Sequence, residues 1–462
     1  MPELDQYTQL ATEMEHLLQL QDAAQLQVYL DEQNISEIAE WLEENEAYSS
    51  TIISNMSINR AAAVFKILDL KIQKLLINTL PAANTAALIN ELPADDRTDL
   101  FEELPSNVVR ELIKTLSFSD RKIALSLLGY PENSVGRLMT PDYVYIYEHD
   151  TVEDVLNTIR RVGKNSETID VLYIINKKGE LLDDIKIRDI ILAQPHVRVG
   201  ELMDDRVITL HAEDDQEVAS DVFKMNNRVA LPVVSRTNKL LGIVTIDDIL
   251  WVAEEEYTED MQKMGGTEAL DAPYLDVPLY VLYKKRVIWL IILFFGELLT
   301  IMAMSSFEDE IKKVVILATF IPLIISSGGN SGSQAAALII QAMALGEVTV
   351  KDWWYIMRRE LKSGLLLGIT LCLLSFVILI TWHFIGNGIQ VHYIRIALVV
   401  GCSLVGIVLW GTLMGSMLPL LLKRLGADPA ASSTPFVATL VDVTGLLIYF
   451  GIAFLFLKGV LL

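Results

Sequence analysis

The sequence predicts a multidomain membrane protein: an all-α superhelical N domain, an α+β tandem repeat, a connecting helix and a five-helix transmembrane domain. Three observations lead to that class. Charge divides along the 462 residues, whose formal total is −23. Residues 1–275 hold 24 Lys and Arg against 50 Asp and Glu, and residues 276–462 hold 13 against 10. The acidic half carries two internal repeats, and the near-neutral half carries five long apolar stretches. No basic face is available for a nucleic acid, so that class of partner is excluded. Cys372 and Cys402 both fall in apolar runs and read as buried thiols, neither a disulfide scaffold nor a metal site.

The N-terminal domain comes first in the chain, over residues 1–130. Leu80-Pro81, Leu92-Pro93 and Leu104-Pro105 recur every 12 residues, each followed by about ten amphipathic residues. Proline is tolerated in a first helical turn and ends whatever precedes it, so the pattern predicts a stack of short helices. Asp95, Asp96, Asp99, Glu102 and Glu103 fall on one of them, with Asp95 and Asp99 four apart on one face. Taken alone, such a group reads as a solvated acidic surface.

Residues 131–200 and 201–252 form the second repeat. Leu138-Met139 aligns with Leu202-Met203, Val171-Leu-Tyr-Ile-Ile with Ala230-Leu-Pro-Val-Val, and IKIRDII with IVTIDDIL. Each unit reads as strand, helix, strand, strand, helix, with turn formers such as Lys178-Gly179 between. The pair resembles tandem cystathionine-β-synthase (CBS) domains, which often hold an adenosine nucleotide such as ATP between them. By that resemblance Thr245 and Asp248 would meet a ribose; in the first unit Lys186 replaces the hydroxyl, while Arg188 and Asp189 remain. A purely structural pair is the other reading.

Residues 253–275 connect the repeats to the apolar half. A strong helix former runs to Gly265-Gly266, a normal helical stop. It carries Glu254, Glu255, Glu256, Glu259 and Asp260 against Lys263 alone, a density of like charge that calls for a cation beside it.

Five stretches, at about 287–304, 314–343, 363–385, 394–422 and 433–457, suit the roughly 20 residues that cross a lipid bilayer. Lys284, Lys285 and Arg286 precede the first, Arg358, Arg359 and Lys362 the third, and Lys423 and Arg424 the fifth. The positive-inside rule then puts the N-terminus in the cytoplasm of a cell-membrane protein and the C-terminus outside. The N-terminal MPELDQYTQL has neither the basic nor the apolar region of a signal peptide, in keeping with that orientation.

Acids inside spans are expensive and mark function. Glu297 and Asp442 are such acids, Asp442 flanked by Thr439 and Thr444, and Asp428 stands at the start of the last segment; no Lys or Arg lies deeper in a span than Arg395 at the edge of the fourth, so a cation is the simplest partner. The run Ser326-Ser-Gly-Gly-Asn-Ser-Gly-Ser-Gln334 allows close helix approach, and it also sets the amides of Asn330 and Gln334 four apart on one face. An all-oxygen donor set favours a hard cation, and Mg²⁺, which keeps its waters, would be held through its hydration shell.

At this point the whole chain resembles the MgtE family of magnesium channels. The resemblance is carried by Tyr130-Pro-Glu-Asn-Ser-Val-Gly-Arg-Leu-Met-Thr140, Ser327-Gly-Gly-Asn-Ser-Gly-Ser-Gln334 and Pro435-Phe-Val-Ala-Thr-Leu-Val-Asp-Val-Thr-Gly445. It implies a homodimer with a central ion path and a connecting helix that plugs its cytoplasmic mouth. Asp442 would be the principal pore acid and Asp428 an entrance acid. Glu217, Asp248, Glu256, Glu259 and Asp260 would bind regulatory Mg²⁺ between the CBS pair and the plug, and Asp95 and Asp99 would meet the CBS domains through Mg²⁺. Trp251 and Asn227 stand where acids are expected, and Gln341 where a base is common.

The expected function is a Mg²⁺ channel that cytosolic Mg²⁺ closes by bridging acidic faces. The alternatives are a coupled carrier for another divalent cation and a membrane-anchored nucleotide sensor. An enzyme is not expected: no P-loop, HExxH or nucleophile-base motif is present, and the six His are scattered.

Overall fold

The computed structural model describes residues 2–20, 22–270, 272–385 and 392–458. The chain divides into two compact units, Met1–Ala253 and Glu254–Leu462.

The first unit begins with ten α-helices between Pro2 and Leu127. Their period is the 12-residue one, and it runs further than the prolines. Met56, Leu68, Leu80, Leu92, Leu104 and Leu116 each end a helix with an extended backbone and each turn into the core, none more than 8% exposed. Proline imposes the extended state on the residue before it at three of these sites. Ser57, Asp69 and Ser117 follow the other three, and there the burial of the Met or Leu side chain sets the repeat. Pro81, Pro93 and Pro105 sit at the N-cap, one position before the first full turn.

The tandem repeat then gives two three-stranded sheets. Strands β1 (Tyr143–Ile146), β2 (Thr168–Ile175) and β3 (Leu181–Lys186) form one, and β4 (Leu210–His211), β5 (Ala230–Val234) and β6 (Leu240–Thr245) the other. In each, the first pair is parallel across a crossover helix, Val152–Val162 or Gln216–Asn226, and the second pair is an antiparallel hairpin. Gly179, at φ 81°, turns the first hairpin. Val171, Tyr173 and Leu181 pack with Ala230, Val234, Leu240 and Ile243, so the repeats share a core. Asp183, fully buried, accepts the backbone N–H groups of Asp184, Asp204 and Asp205 and ties the first hairpin to the start of the second repeat.

The helix Ile246–Met264 follows β6 without a break, so the last helix of the second repeat and the connecting helix are one element.

The second unit holds span 1 (Leu279–Ser306), span 2 (Ile316–Ala344), span 3 (Trp353–Phe384), span 4 (Tyr393–Arg424) and span 5 (Thr434–Leu457). Spans 1, 3, 4 and 5 are long and apolar enough to cross a membrane. Span 2 has the length, 29 residues or about 43 Å, but its polar run dilutes its hydropathy. Span 4 is central, packing on spans 2, 3 and 5, with 61% of its most apolar window buried; span 1 buries none of its own, so its apolar surface is left for lipid or another chain. Cys372 and Cys402 are free and half-exposed, which corrects the expectation of fully buried thiols: both stand where spans 3 and 4 meet, and neither side chain is fully covered.

Candidate functional site

Two acidic centres emerge, one in each unit. In the second unit, Asp442 projects from the middle of span 5, half-buried, against Gly329 in the polar run of span 2. A β-carbon at Gly329 would stand 3.5 Å from both Ala438 and the Asp442 carboxylate, so spans 2 and 5 meet closely here. Glu297 of span 1 reaches the same carboxyl group within hydrogen-bonding range, so the two intramembrane acids face one another. Asn330 and Gln334 are exposed, with Asn330 donating to Ser326 at 3.5 Å. Thr444 is engaged by the indole N–H of Trp410 at 2.8 Å, and Thr439 bonds its own helix at the Pro435 carbonyl.

The two sequence readings of the polar run prove compatible. Its glycines supply the close packing: β-carbons at Gly411 and Gly415 of span 4 would run into the backbone of Gly328 and Gly332. The amides two residues on from each of these, Asn330 and Gln334, remain on the open face.

Asp428 caps the short turn Pro429–Ala431, its Oδ1 accepting from the Ala430 N–H at 2.8 Å. Its Oδ2 takes the Lys263 ammonium at 2.7 Å. This corrects the expectation that only a mobile cation would neutralise the acid. Lys263 also pairs with Glu259. Desolvation pulls the Lys263 pKa down, but its two carboxylate partners outweigh it and hold the ammonium well above its usual range. Glu256 and Asp260 are half-buried on the same helix.

The centre in the first unit surrounds Asp95. The side chain is 5% exposed, and neither carboxylate oxygen has a hydrogen-bond partner among the described residues. The reading of a solvated face fails at Asp95, which turns inward, and holds at Asp99, Glu102 and Glu103, which are exposed, so Asp95 and Asp99 do not share an environment. Burial, then the charges of Asp248, Asp96 and Glu167, raise the Asp95 pKa well above the carboxylate range. Asp248 is pushed up to about 6, first by burial and then by its acidic neighbours, against the pull of the Thr245 hydroxyl that donates to it at 2.8 Å. Lys66 stands among these acids, 3.1 Å from Asp96 and 3.7 Å from Asp247. Among the described residues no three His, Cys, Asp or Glu side chains converge tightly enough to grip a bare ion.

The other predicted residues lie apart from this centre. Arg188 and Asp189 are exposed on the helix Ile187–Leu192, and Glu217 is exposed in the first turn of Gln216–Asn226. Thr245, expected to meet a ribose, is 6% exposed and bonded to Asp247 and Asp248. Sequence reasoning missed Lys66 and Glu167 at this centre, which lie far from Asp95 along the chain, and had Asp96 only as one of an acidic group. It also missed Trp410 and Lys263 as partners. For Lys263 a signal existed, since it is the only base in the helix.

Known proteins match most of the chain. The MgtE family, a divalent cation transporter, matches residues 321–452, its intracellular N domain residues 30–133, and the CBS domain residues 135–196 and 199–255. The magnesium transporter MgtE of Thermus thermophilus is 41% identical over 335 residues, 72% of each chain. That of Bacillus subtilis is 35% identical over 347 residues, 75% of each. The crystal structure of the cytosolic domain of the Mg²⁺ channel MgtE in complex with ATP aligns at a TM-score of 0.50 and 31% identity, covering 52% of this chain and 99% of that one.

Proposed function

The chain belongs to the MgtE family of magnesium transporters, and from that premise we propose a Mg²⁺-selective channel that cytosolic Mg²⁺ closes. The observation that carries the reading is Asp442. An acid in the middle of a span, facing a second acid and a run of small and amide side chains, has no use in a simple membrane anchor. Its donor set is all oxygen, which suits a hard cation passing with its waters. Under this reading Asp442, Asn330 and Asp428 line the path.

The closing signal would be bound in the cytoplasmic half. Asp95, buried with both oxygens unpartnered beside Asp248, suits a hydrated dication better than any neutral occupant. Bound there, Mg²⁺ would bond the carboxylates through its water shell and neutralise their repulsion. Glu217, Glu256, Glu259, Asp260 and Asp99 are proposed as further acids of the sensor. An adenosine nucleotide in the CBS pair is proposed on the family's ATP-bound cytosolic domain; here it would have to open the Thr245–Asp248 hydrogen bond. A homodimer is proposed on the uncovered apolar surface of span 1.

The test is Mg²⁺ influx into proteoliposomes holding the full chain. Wild type should conduct, and Asp442→Ala should lose influx while still folding; a variant that conducts like wild type would end the pore assignment. Influx that depended on a proton or Na⁺ gradient would favour a coupled carrier instead.

A further inference from the structure

The helix Ile246–Met264 contains seven acids and a single base, Lys263. Such a lysine would ordinarily be satisfied within its own helix, and Glu259, one turn back, does pair with it. Its ammonium nevertheless also reaches Asp428 at 2.7 Å. Because Asp428 Oδ1 is engaged by the Ala430 N–H, Oδ2 is the oxygen best placed to receive a cation, and Lys263 holds it.

Three more contacts seat the same end of the helix. The Thr434 hydroxyl donates to the Met264 carbonyl at 3.2 Å. Gly266, at φ 77°, ends the helix so close to span 1 that a β-carbon would collide with the Trp289 indole. That indole donates to Ser433 at 3.0 Å, at the cap of span 5. The helix end, span 1 and the start of span 5 are thus pinned together around one ion pair.

We propose that Lys263 is a tethered counter-cation for Asp428. By occupying Oδ2 it latches the connecting helix at the start of span 5, and a passing cation can be held at that oxygen only after the latch lets go. This rests on the assignment of Asp428 to the ion path. An ammonium in direct contact with Oδ2 leaves no place for the water of a hydrated Mg²⁺, so seating and passage exclude one another at a single atom. Tethering gives the ammonium a high effective concentration, which free monovalent ions do not match.

The experiment uses the full chain in proteoliposomes. Mg²⁺ influx is measured as Mg²⁺ on the cytoplasmic-domain side is varied, and amide hydrogen exchange of residues 259–267 is followed in the same preparations. Lys263→Met keeps the aliphatic stem and the helix propensity but removes the charge; Lys263→Arg keeps the charge. The Met variant should need about fivefold more Mg²⁺ for half-inhibition, the factor that a partly exposed ion pair sustains, and should exchange faster at 259–267. The Arg variant should resemble wild type in both. Unchanged inhibition and protection in the Met variant would overturn the latch, as would an Arg variant that behaves like Met. If wild type itself passes no Mg²⁺, the channel reading fails, and the exchange comparison still decides whether Lys263 latches the helix.

Discussion

Asp248 shows how one side chain couples the fold to its solvent. Its carboxyl group is pushed to about 6 because burial, and the charges of Asp247 and Asp96, penalise the ionised form. Thr245 and Lys66 work in the opposite direction. The folded chain therefore binds more protons than the unfolded one between about pH 4 and 6, and stability from this group falls as pH rises through that window. With divalent cations chelated, thermal unfolding of the first unit should show this loss in wild type. Asp248→Asn should remove it, gaining up to about 3 kcal/mol relative to wild type at pH 7. Adding Mg²⁺ should recover stability in wild type more than in the variant. An Asn variant with the wild-type pH slope would show that Asp248 is not the titrating group. Such an environment is not legible in sequence, where Asp95 and Asp99 look equivalent and only the packing of the helix Ala94–Glu103 separates them. Asn227 has a backbone reason instead: it ends a helix at φ 48°, a conformation that asparagine enters more readily than most residues.

At the scale of elements, the legible features were those with a local cause. The Leu-Pro period announced three helix boundaries because proline acts on its immediate neighbour. The three boundaries at Met56, Leu68 and Leu116 were silent, since they depend on a side chain finding the core. Span 2 is the converse case: its composition is ambiguous, while its partner explains it. Gly328 and Gly332 meet Gly411 and Gly415 of span 4, four residues apart on both helices. Gly415→Val should therefore force spans 2 and 4 apart, by the few kcal/mol typical of overpacking or more, since the obstacle is backbone rather than a flexible side chain. Gly451→Val, on span 5 with open space around its β-carbon, should be tolerated. The check is the yield and thermal aggregation point of the detergent-solubilised protein; equal behaviour of the two variants would contradict the glycine contact.

For the whole molecule the governing quantity is the charge of residues 1–275, 24 bases against 50 acids. Like charge at this density opposes any compact arrangement, and it can be relieved in two physically different ways. Screening by any salt acts on exposed charges over about a Debye length, whereas binding at acids such as Asp95 requires a dication in place. The proposed gating needs the second. Influx should then be inhibited by a few-fold change in Mg²⁺ on the cytoplasmic-domain side at constant ionic strength, and NaCl of equal ionic strength should not reproduce the effect. Changing Glu254, Glu255, Glu256, Glu259 and Asp260 to their amides removes five negative charges from one helix without altering its length or its caps. If those acids bind the closing ion, the amide variant should conduct at Mg²⁺ levels that silence wild type, while Asp442→Ala in the same background should be silent at all levels. Retained Mg²⁺ inhibition in the amide variant would remove the connecting helix from the sensor and leave the Asp95 and Asp248 centre to carry it. Inhibition of wild type by NaCl alone would replace ion binding with screening. The sequence makes the excess charge plain, but the proposed bound ion rests on the buried Asp95, whose oxygens have no hydrogen-bond partner among the described residues, because a carboxylate withdrawn from water cannot be relieved by salt outside it.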